Sequence, residues 1–416
     1  MRFDYDYVIV GGGMSADAAA RGIREIDPEG SIVILGQEAE PPYERPPLTK
    51  GLWAPDAGDA DSVFLETQDA TGADVRTSTR VTTVQRDART VVANDDDEYG
   101  YGRLLLATGG SPRRLDADDS PQLVTFRGLG DYRRLRAVAL PGKHVVVVGG
   151  GFIGLELACS ISSVGARVTL VTPDEAPGAR MLPPGLVTRL SDRLAAHGVA
   201  VLSGRHVTSV EHVSITDEPA RLVRLTLEDG ATVAGDAVVV GLGIAPDVEL
   251  ARGAGLSVTD DGVDVDAWLR TSDPLIHAAG DIARFPDPLL GVRRVEHVDQ
   301  AQSSGRAAGR NMAAARLGHE PERYEHTPFF YSDLYEDGYE AVGRLDARLT
   351  LVEDWVPGEE DSRGVVYYLD EGALRGVLLW NVWDRVPDAR DLLRHLSRPG
   401  SVAGADDLHG RIRPEG

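Results

Sequence analysis

Two glycine clusters hold the residues whose types and spacing point to chemistry. Gly149, Gly151 and Gly154, with Gly150, Phe152 and Ile153 between them, follow the apolar run His144-Val145-Val146-Val147-Val148. They open a stretch with helical spacing: Ile153, Leu157, Ile161, Val164. A G-x-G-x-x-G pattern acquires meaning only in this order of strand, glycines and helix. The first glycine makes the tight turn, the second lets backbone approach a pyrophosphate, and the third lets helix and strand pack closely. The helix N-terminus then offers N–H groups to the anion. The same signature stands at Gly11, Gly13 and Ala16, with Gly12, Met14 and Ser15 between, after Tyr7-Val8-Ile9-Val10. Two copies separated by about one domain's length imply two dinucleotide sites in one chain.

Further polar residues fall where such sites need them. A carboxylate at the end of the second strand holds a ribose hydroxyl pair. After Ile32-Val33-Ile34-Leu35 that residue is Glu38, one place later than usual, since Gln37 precedes it. After Val168-Thr169-Leu170-Val171 it is Asp174, followed by Glu175, which suits an unphosphorylated ribose and so NADH in preference to NADPH. Arg180 is the basic residue nearby. The proline-stiffened stretch Pro42-Tyr43-Glu44-Arg45-Pro46-Pro47-Leu48-Thr49-Lys50 carries two cations suited to a phosphate or an electron-rich ring. The small residues Ala107, Thr108 and Gly109 let backbone approach a cofactor closely. Gly280 and Asp281 end the short apolar run Leu275-Ile276-His277-Ala278-Ala279, at the kind of strand end where open α/β sheets bind ligands.

The elements that must position these residues can be read in outline. A helix from the first cluster runs to about Ile26 and stops at Asp27-Pro28-Glu29-Gly30. Strands are expected at 79–84 and on either side of the acidic turn 94–97. The polar segment 116–120 reads as a crossover, and 131–136 as a basic helix. A strand at 237–240 leads into Gly241-Leu242-Gly243, and a long helix spans 300–317. Past His326 the pattern changes to strands at 338–344, 348–355, 364–369 and 373–380, then a helix at 387–396. The tail after Arg398 is rich in Gly, Asp and Pro and is expected to be loose. The fold class is therefore α/β: two Rossmann-like three-layer nucleotide-binding domains followed by a C-terminal α+β domain.

Composition narrows the classes. The chain has 416 residues, 42% of them hydrophobic and 26% charged, enough for two or three domains with their own cores. A net charge of −23 disfavours nucleic acid and anionic membrane as partners. No apolar run is long enough to span a bilayer. Met1 leads straight into the first strand, so a cytoplasmic protein without a targeting peptide is expected. Cys159 is the only cysteine, which excludes a CxxC redox pair, an intrachain disulfide and a thiolate metal cluster; no metal site is expected. Cys159 itself reads as a core residue.

Taken together, GGGMSA, PPYERPPLTK, LLLATGG, GGGFIGLE, GLGIAPD, AAGDIA and RVEHVDQA resemble the FAD-dependent pyridine-nucleotide oxidoreductases. More narrowly, they resemble the branch holding oxygenase-type ferredoxin reductases and apoptosis-inducing factor. FFYSDLYEDGYEAVG and VLLWNVWDRVPDARDLL are closest to the latter. The resemblance implies a discontinuous FAD-binding domain, 1–115 and 247–325, interrupted by an NAD(P)H-binding domain, 116–246, and followed by a C-terminal domain, 326–416. It implies FAD contacts at Gly11, Gly13, Met14, Ser15, Ala16, Glu38, Arg45, Lys50, Val81, Arg127, Asp281 and His297. Ala107, Thr108, Gly109 and Gly280 join them. Nicotinamide-cofactor contacts fall at Gly149, Gly150, Gly151, Phe152, Ile153, Gly154, Glu156, Asp174, Arg180, Gly243, Glu340 and Asn381. Glu296 and Tyr331 are assigned to both cofactors.

The resemblance assigns three catalytic residues. Lys50 and Glu156 match an ion pair near the flavin's reactive nitrogen, and Phe152 covers the ring. Hydride would pass from NADH directly to FAD, and electrons then to an acceptor. Three readings stay open: a reductase passing electrons to a ferredoxin; an NADH-sensing protein with a stable flavin–NAD charge-transfer complex and redox-linked dimerisation; or a reductase or oxidase acting on a small molecule such as a quinone or oxygen. A monomer or a redox-dependent homodimer is expected. The departures are Gln37 for the strand-end acid and Tyr331 for a tryptophan. The long regulatory loop of the animal proteins is missing between Asp346 and Gly364, which favours a microbial-type reductase over an apoptotic role.

Overall fold

The computed structural model describes residues 1–94, 96–117, 120–214, 221–402 and 404–413. Part of the acidic turn at 94–97, part of the crossover at 116–120 and the last three residues of the tail lie outside that set. The chain folds into two compact units. One is built from 1–45, 61–111 and 245–329, the other from 46–60, 112–244 and 330–416. The stiff stretch after Arg45 thus belongs to the second unit, while Arg45 itself belongs to the first.

In the first unit, the strands Arg2–Val10, Ile32–Leu35, Glu98–Leu106 and Ile276–Ala278 run parallel, and their C-terminal ends are in register. Val10 lies opposite both Leu35 and Leu106, and Leu106 lies opposite Ala278. A parallel sheet is covered on both faces, so its strands read as unbroken apolar runs. Val8, Ile9, Val33, Ile34, Leu104 and Leu105 are fully buried accordingly. The strands Thr90–Ala93 and Val81–Gln85 extend the sheet antiparallel, as the turn at 94–97 anticipated. On one face the helix Met14–Ile26 packs against the helix Val298–Leu317. Their contact is backbone-close: a methyl group on Gly22, Gly305 or Gly309 would fall within 2.4 Å of a carbonyl oxygen of the facing helix.

In the second unit, the strands Val199–Leu202, Arg167–Val171, His144–Val148, Ala237–Val240 and Leu123–Thr125 form a parallel sheet in that order. Val148 is opposite Val171 and Val240, and Val240 is opposite Thr125, so their ends again share one edge. A three-stranded antiparallel sheet, Val207–Ser214, Arg221–Leu227 and Thr232–Gly235, covers one side, and the sequence pattern had not disclosed it. The C-terminal part is an antiparallel sheet ordered Phe329–Leu334, Asp337–Gly343, Ala373–Trp380, Gly364–Asp370, Thr350–Trp355, with the helix Val386–Leu396 against it. Both parallel sheets are Rossmann-like, and the fold class is α/β as expected.

The described residues of the tail, 399–402 and 404–413, correct the expectation of looseness. Leu408 and Ile412 are buried, and the backbone N–H groups of Gly400 and Val402 bond to the Glu371 and Gly372 carbonyls. Three spaced apolar residues, Val402 included, anchor an otherwise polar segment. Among the described residues no helix is long and apolar enough to cross a membrane.

Candidate functional site

Strand register gathers the first set of residues. Because Val10, Leu35, Leu106 and Ala278 end level, the segments that follow them emerge on one edge of the first unit. They carry Gly11 to Ala16, Glu38, Ala107 to Gly109, and Gly280 with Asp281. Gly11 has φ +120°, and a Cβ there would lie 2.1 Å from the Ala107 carbonyl oxygen, so only glycine fits. Above Gly13 there is open space: a Cβ at that position would have no neighbour within 4 Å. The helix starting at Met14 has no side-chain cap. The Ser15 hydroxyl beside it is buried without a hydrogen-bond partner. A cradle with room, free helix-end donors and an orphaned hydroxyl fits a dinucleotide pyrophosphate.

Around that edge the side chains are already ordered. Glu38 accepts hydrogen bonds from Tyr43 Oη at 2.6 Å and from the Arg45 guanidinium at 2.5 Å. Burial opposes the Arg45 charge, but Tyr43, Glu38 and Asp281 outweigh it and hold the guanidinium protonated. Ser304 Oγ accepts the Gly280 N–H at 2.9 Å and fixes that turn. Burial pushes His297 down to about 4, so it is neutral at physiological pH. Glu296, next to it, pairs with Arg294 at 2.6 Å. Val81 packs at the margin of the apolar cluster around Val8 and Leu104.

The second unit repeats the arrangement. Gly149 has φ +118°, and a Cβ there would lie 2.4 Å from the Gly241 carbonyl oxygen. Gly150 abuts Thr172, Gly154 abuts the Gly149 carbonyl, and Gly151 faces open space. The helix Phe152–Ser163 begins without a side-chain cap. Asp174 pairs with Arg180 at 2.5 Å. Gly243 stands in the left-handed region with open space where a side chain would be, and Arg127 follows the edge strand Leu123–Thr125. Gly149 to Gly154, Asp174 and Gly243 too suit a dinucleotide, whereas Arg127, expected on FAD, stands in this second unit.

Beside this cradle lies a buried, fully partnered carboxylate, Glu156. Glu156, 4% exposed, receives Lys50 Nζ and Ser332 Oγ on Oε1 and Thr49 Oγ1 on Oε2, each at 2.6 Å. Lys50 Nζ also sits 5.3 Å from the Tyr331 ring centroid. Phe152, 37% exposed, meets Phe330 edge-on at 5.3 Å. Glu340 has one buried carboxylate oxygen without a partner, and burial raises its pKa. The Asn381 amide is spent internally: it donates to Asp337 and Ser362 and accepts from the Gly338 N–H. Cys159 is buried and its thiol is pushed up to about 12, so it is inert at neutral pH. Among the described residues no cluster of His, Cys, Asp and Glu is arranged to hold a metal.

Sequence reasoning overlooked Tyr43, Thr49, Ser304 and Ser332. The first two lie in the stiff stretch already singled out, where their hydroxyls were the available signal. Ser304 and Ser332 carried none, because their partners are distant in sequence.

The sequence profile of the pyridine nucleotide-disulphide oxidoreductases matches residues 5–305. The chain belongs to that family. Apoptosis-inducing factor 1, mitochondrial, of Dictyostelium discoideum is 34% identical over 94% of this chain and 78% of its own length. The ferredoxin–NAD(+) reductase component of the anthranilate 1,2-dioxygenase system of Burkholderia cepacia is 34% identical over 83% of this chain and 84% of its own. In the crystal structure of the covalent putidaredoxin reductase–putidaredoxin complex, one chain superimposes with TM-score 0.82 at 30% identity, covering 94% of this chain and 93% of that one. Within the family this chain is an NAD(P)H-dependent flavoprotein reductase, with FAD and NAD(P)H as cofactors.

Proposed function

We propose that the chain is an NADH-preferring reductase that hands electrons from its flavin to a ferredoxin-type protein. The observation that carries this reading is the single cysteine, buried and inert at Cys159. The family name refers to disulphide chemistry, and a chain without a cysteine pair has no thiol relay. Bound FAD supplies an acceptor for the hydride of NADH and a store from which electrons leave one at a time.

In this reading the first unit's edge holds FAD. Gly11 to Ala16 lie against the pyrophosphate, Glu38 against a ribose, and Arg45, Asp281 and His297 complete the set. The second unit's cradle holds NADH, with Asp174 on the adenosine ribose, where a 2′-phosphate would meet negative charge. Phe152 shields the ring from water. Lys50 presents a fixed positive charge, and Glu156 holds it in place. The domain limits 1–115 with 247–325, 116–246 and 326–416 belong to the same proposal.

Anaerobic reduction of the purified protein by NADH, followed by addition of ferredoxin, quinone or oxygen, tests the acceptor. Rapid reoxidation by ferredoxin is expected. The likeness to apoptosis-inducing factor over 94% of the chain supports a second reading, an NADH sensor. A persistent long-wavelength charge-transfer band with dimerisation, and slow reoxidation by all three acceptors, would favour it and sink the first.

A further inference from the structure

We infer that Thr49 and Ser332 are positioning residues for the Lys50–Glu156 pair; the inference rests on the role proposed above for Lys50. Three elements meet at one buried carboxylate. The helix Phe152–Ser163 supplies Glu156, the turn Pro46–Thr49 supplies Thr49 and leads into Lys50, and the strand Phe329–Leu334 supplies Ser332. Thr49 and Ser332 are 3% and 1% exposed, so neither hydroxyl is a surface group that water could replace.

Their geometry does more than satisfy a buried charge. A lone cation on one oxygen leaves a carboxylate free to turn about its terminal torsion, which has a broad profile. Here Thr49 occupies Oε2 while Ser332 shares Oε1 with Lys50, so both oxygens are fixed. The helix also grips Thr49 a second time: Ser160, one turn after Glu156, donates to the Thr49 carbonyl at 2.6 Å. Lys50 follows directly in the chain, so its backbone is tethered as firmly as its charged end. Ser332 has a further link, since its neighbour Tyr331 lies under the Lys50 ammonium. Thr49 and Ser332 thereby fix where the Lys50 charge points, and with it how strongly that charge favours electrons on the flavin.

The test is a set of FAD-loaded variants: Thr49→Val, Ser332→Ala, Thr49→Ser and Lys50→Gln. Two quantities are read, the two-electron midpoint potential of the flavin by dye titration and the split of stopped-flow reduction into NADH Kd and limiting rate. Thr49→Val and Ser332→Ala are each expected to cut the limiting rate about tenfold with Kd held within about twofold. A matching tenfold loss in the reduction equilibrium appears as a potential lower by about 30 mV. Thr49→Ser, which keeps the hydroxyl, is expected to behave as the parent. If Lys50→Gln moves the potential while Thr49→Val and Ser332→Ala do not, the positioning role is wrong and the role of Lys50 stands. If Lys50→Gln also leaves it unmoved, the reading of Lys50 falls first and takes this one with it. Lowered melting temperature or flavin loss with an unshifted potential would make both hydroxyls structural only.

Discussion

At the scale of single residues, the decisive positions are glycines and buried charges. Gly149→Ala puts a methyl group 2.4 Å from the Gly241 carbonyl oxygen at a positive φ. NADH binding is expected to fall at least tenfold, about 1.4 kcal/mol or more, with flavin absorbance retained. Titration by isothermal calorimetry checks this, and loss of flavin instead would show that the second cradle is not the nicotinamide site. Asp174→Ala removes the charge that would repel a 2′-phosphate and releases Arg180. The NADPH-to-NADH ratio of kcat/KM is expected to rise about tenfold, equivalent to about 1.4 kcal/mol. An unchanged ratio would mean that Asp174 does not face the adenosine ribose.

His277 makes a prediction about pH. Burial, then the charge of Arg103, and then that of Arg270 push it down to about 3, with Asp266 opposing. The folded chain keeps it neutral, while the unfolded chain protonates it below about 6.5. Between those values the unfolded state binds the extra proton, so stability is full above 6.5 and declines as pH falls toward 3. This one group should account for about 2 kcal/mol of loss between pH 7 and pH 5. His277→Leu is expected to flatten that part of the pH profile, measured by urea midpoints. A profile parallel to the parent's would refute the assignment.

At the scale of elements, the helices Met14–Ile26 and Val298–Leu317 matter most. Their approach rests on Gly22, Gly305 and Gly309 lying against carbonyl groups of the facing helix. The same two helices bring Ser15 beside Gly280 and Gly305. Gly309→Ala is therefore expected to push the helices apart, lower stability by about 1–3 kcal/mol and speed flavin release. Thermal melting together with a flavin-release assay reads both effects. Unchanged release at lowered stability would uncouple the helix pair from the cradle.

At the scale of the whole molecule, charge sets the approach of a partner. A net charge of −23 repels an acidic ferredoxin at long range, although Arg113, Arg114, Arg133 and Arg134 are exposed. Raising ionic strength from 0.01 M to 0.15 M shortens the screening length from about 30 Å to about 8 Å. Ferredoxin-dependent kcat/KM is expected to rise over that range. A fall would show that the exposed arginines, not the overall charge, govern docking.

What the sequence determined by itself was the local grammar. Glycine triplets between an apolar run and a helical pattern can mean little else. Runs such as Val145 to Val148 marked parallel strands because both faces are buried. The lone cysteine settled in advance that no dithiol could operate. The tertiary structure alone decided which distant side chains meet. Thr49, Glu156 and Ser332 are separated by more than a hundred residues at each step, and no periodicity links them. Strand register did the same for Gly11, Ala107 and Gly280, since segments far apart in the chain end level only once the sheet has formed. The packing of the tail's described residues was illegible for a similar reason: Val402, Leu408 and Ile412 are spaced apolar residues in a polar stretch, and only the surface beneath them explains their burial. Local sequence encodes torsion and periodicity, whereas the partners of a buried polar group are chosen by whatever the fold brings alongside it.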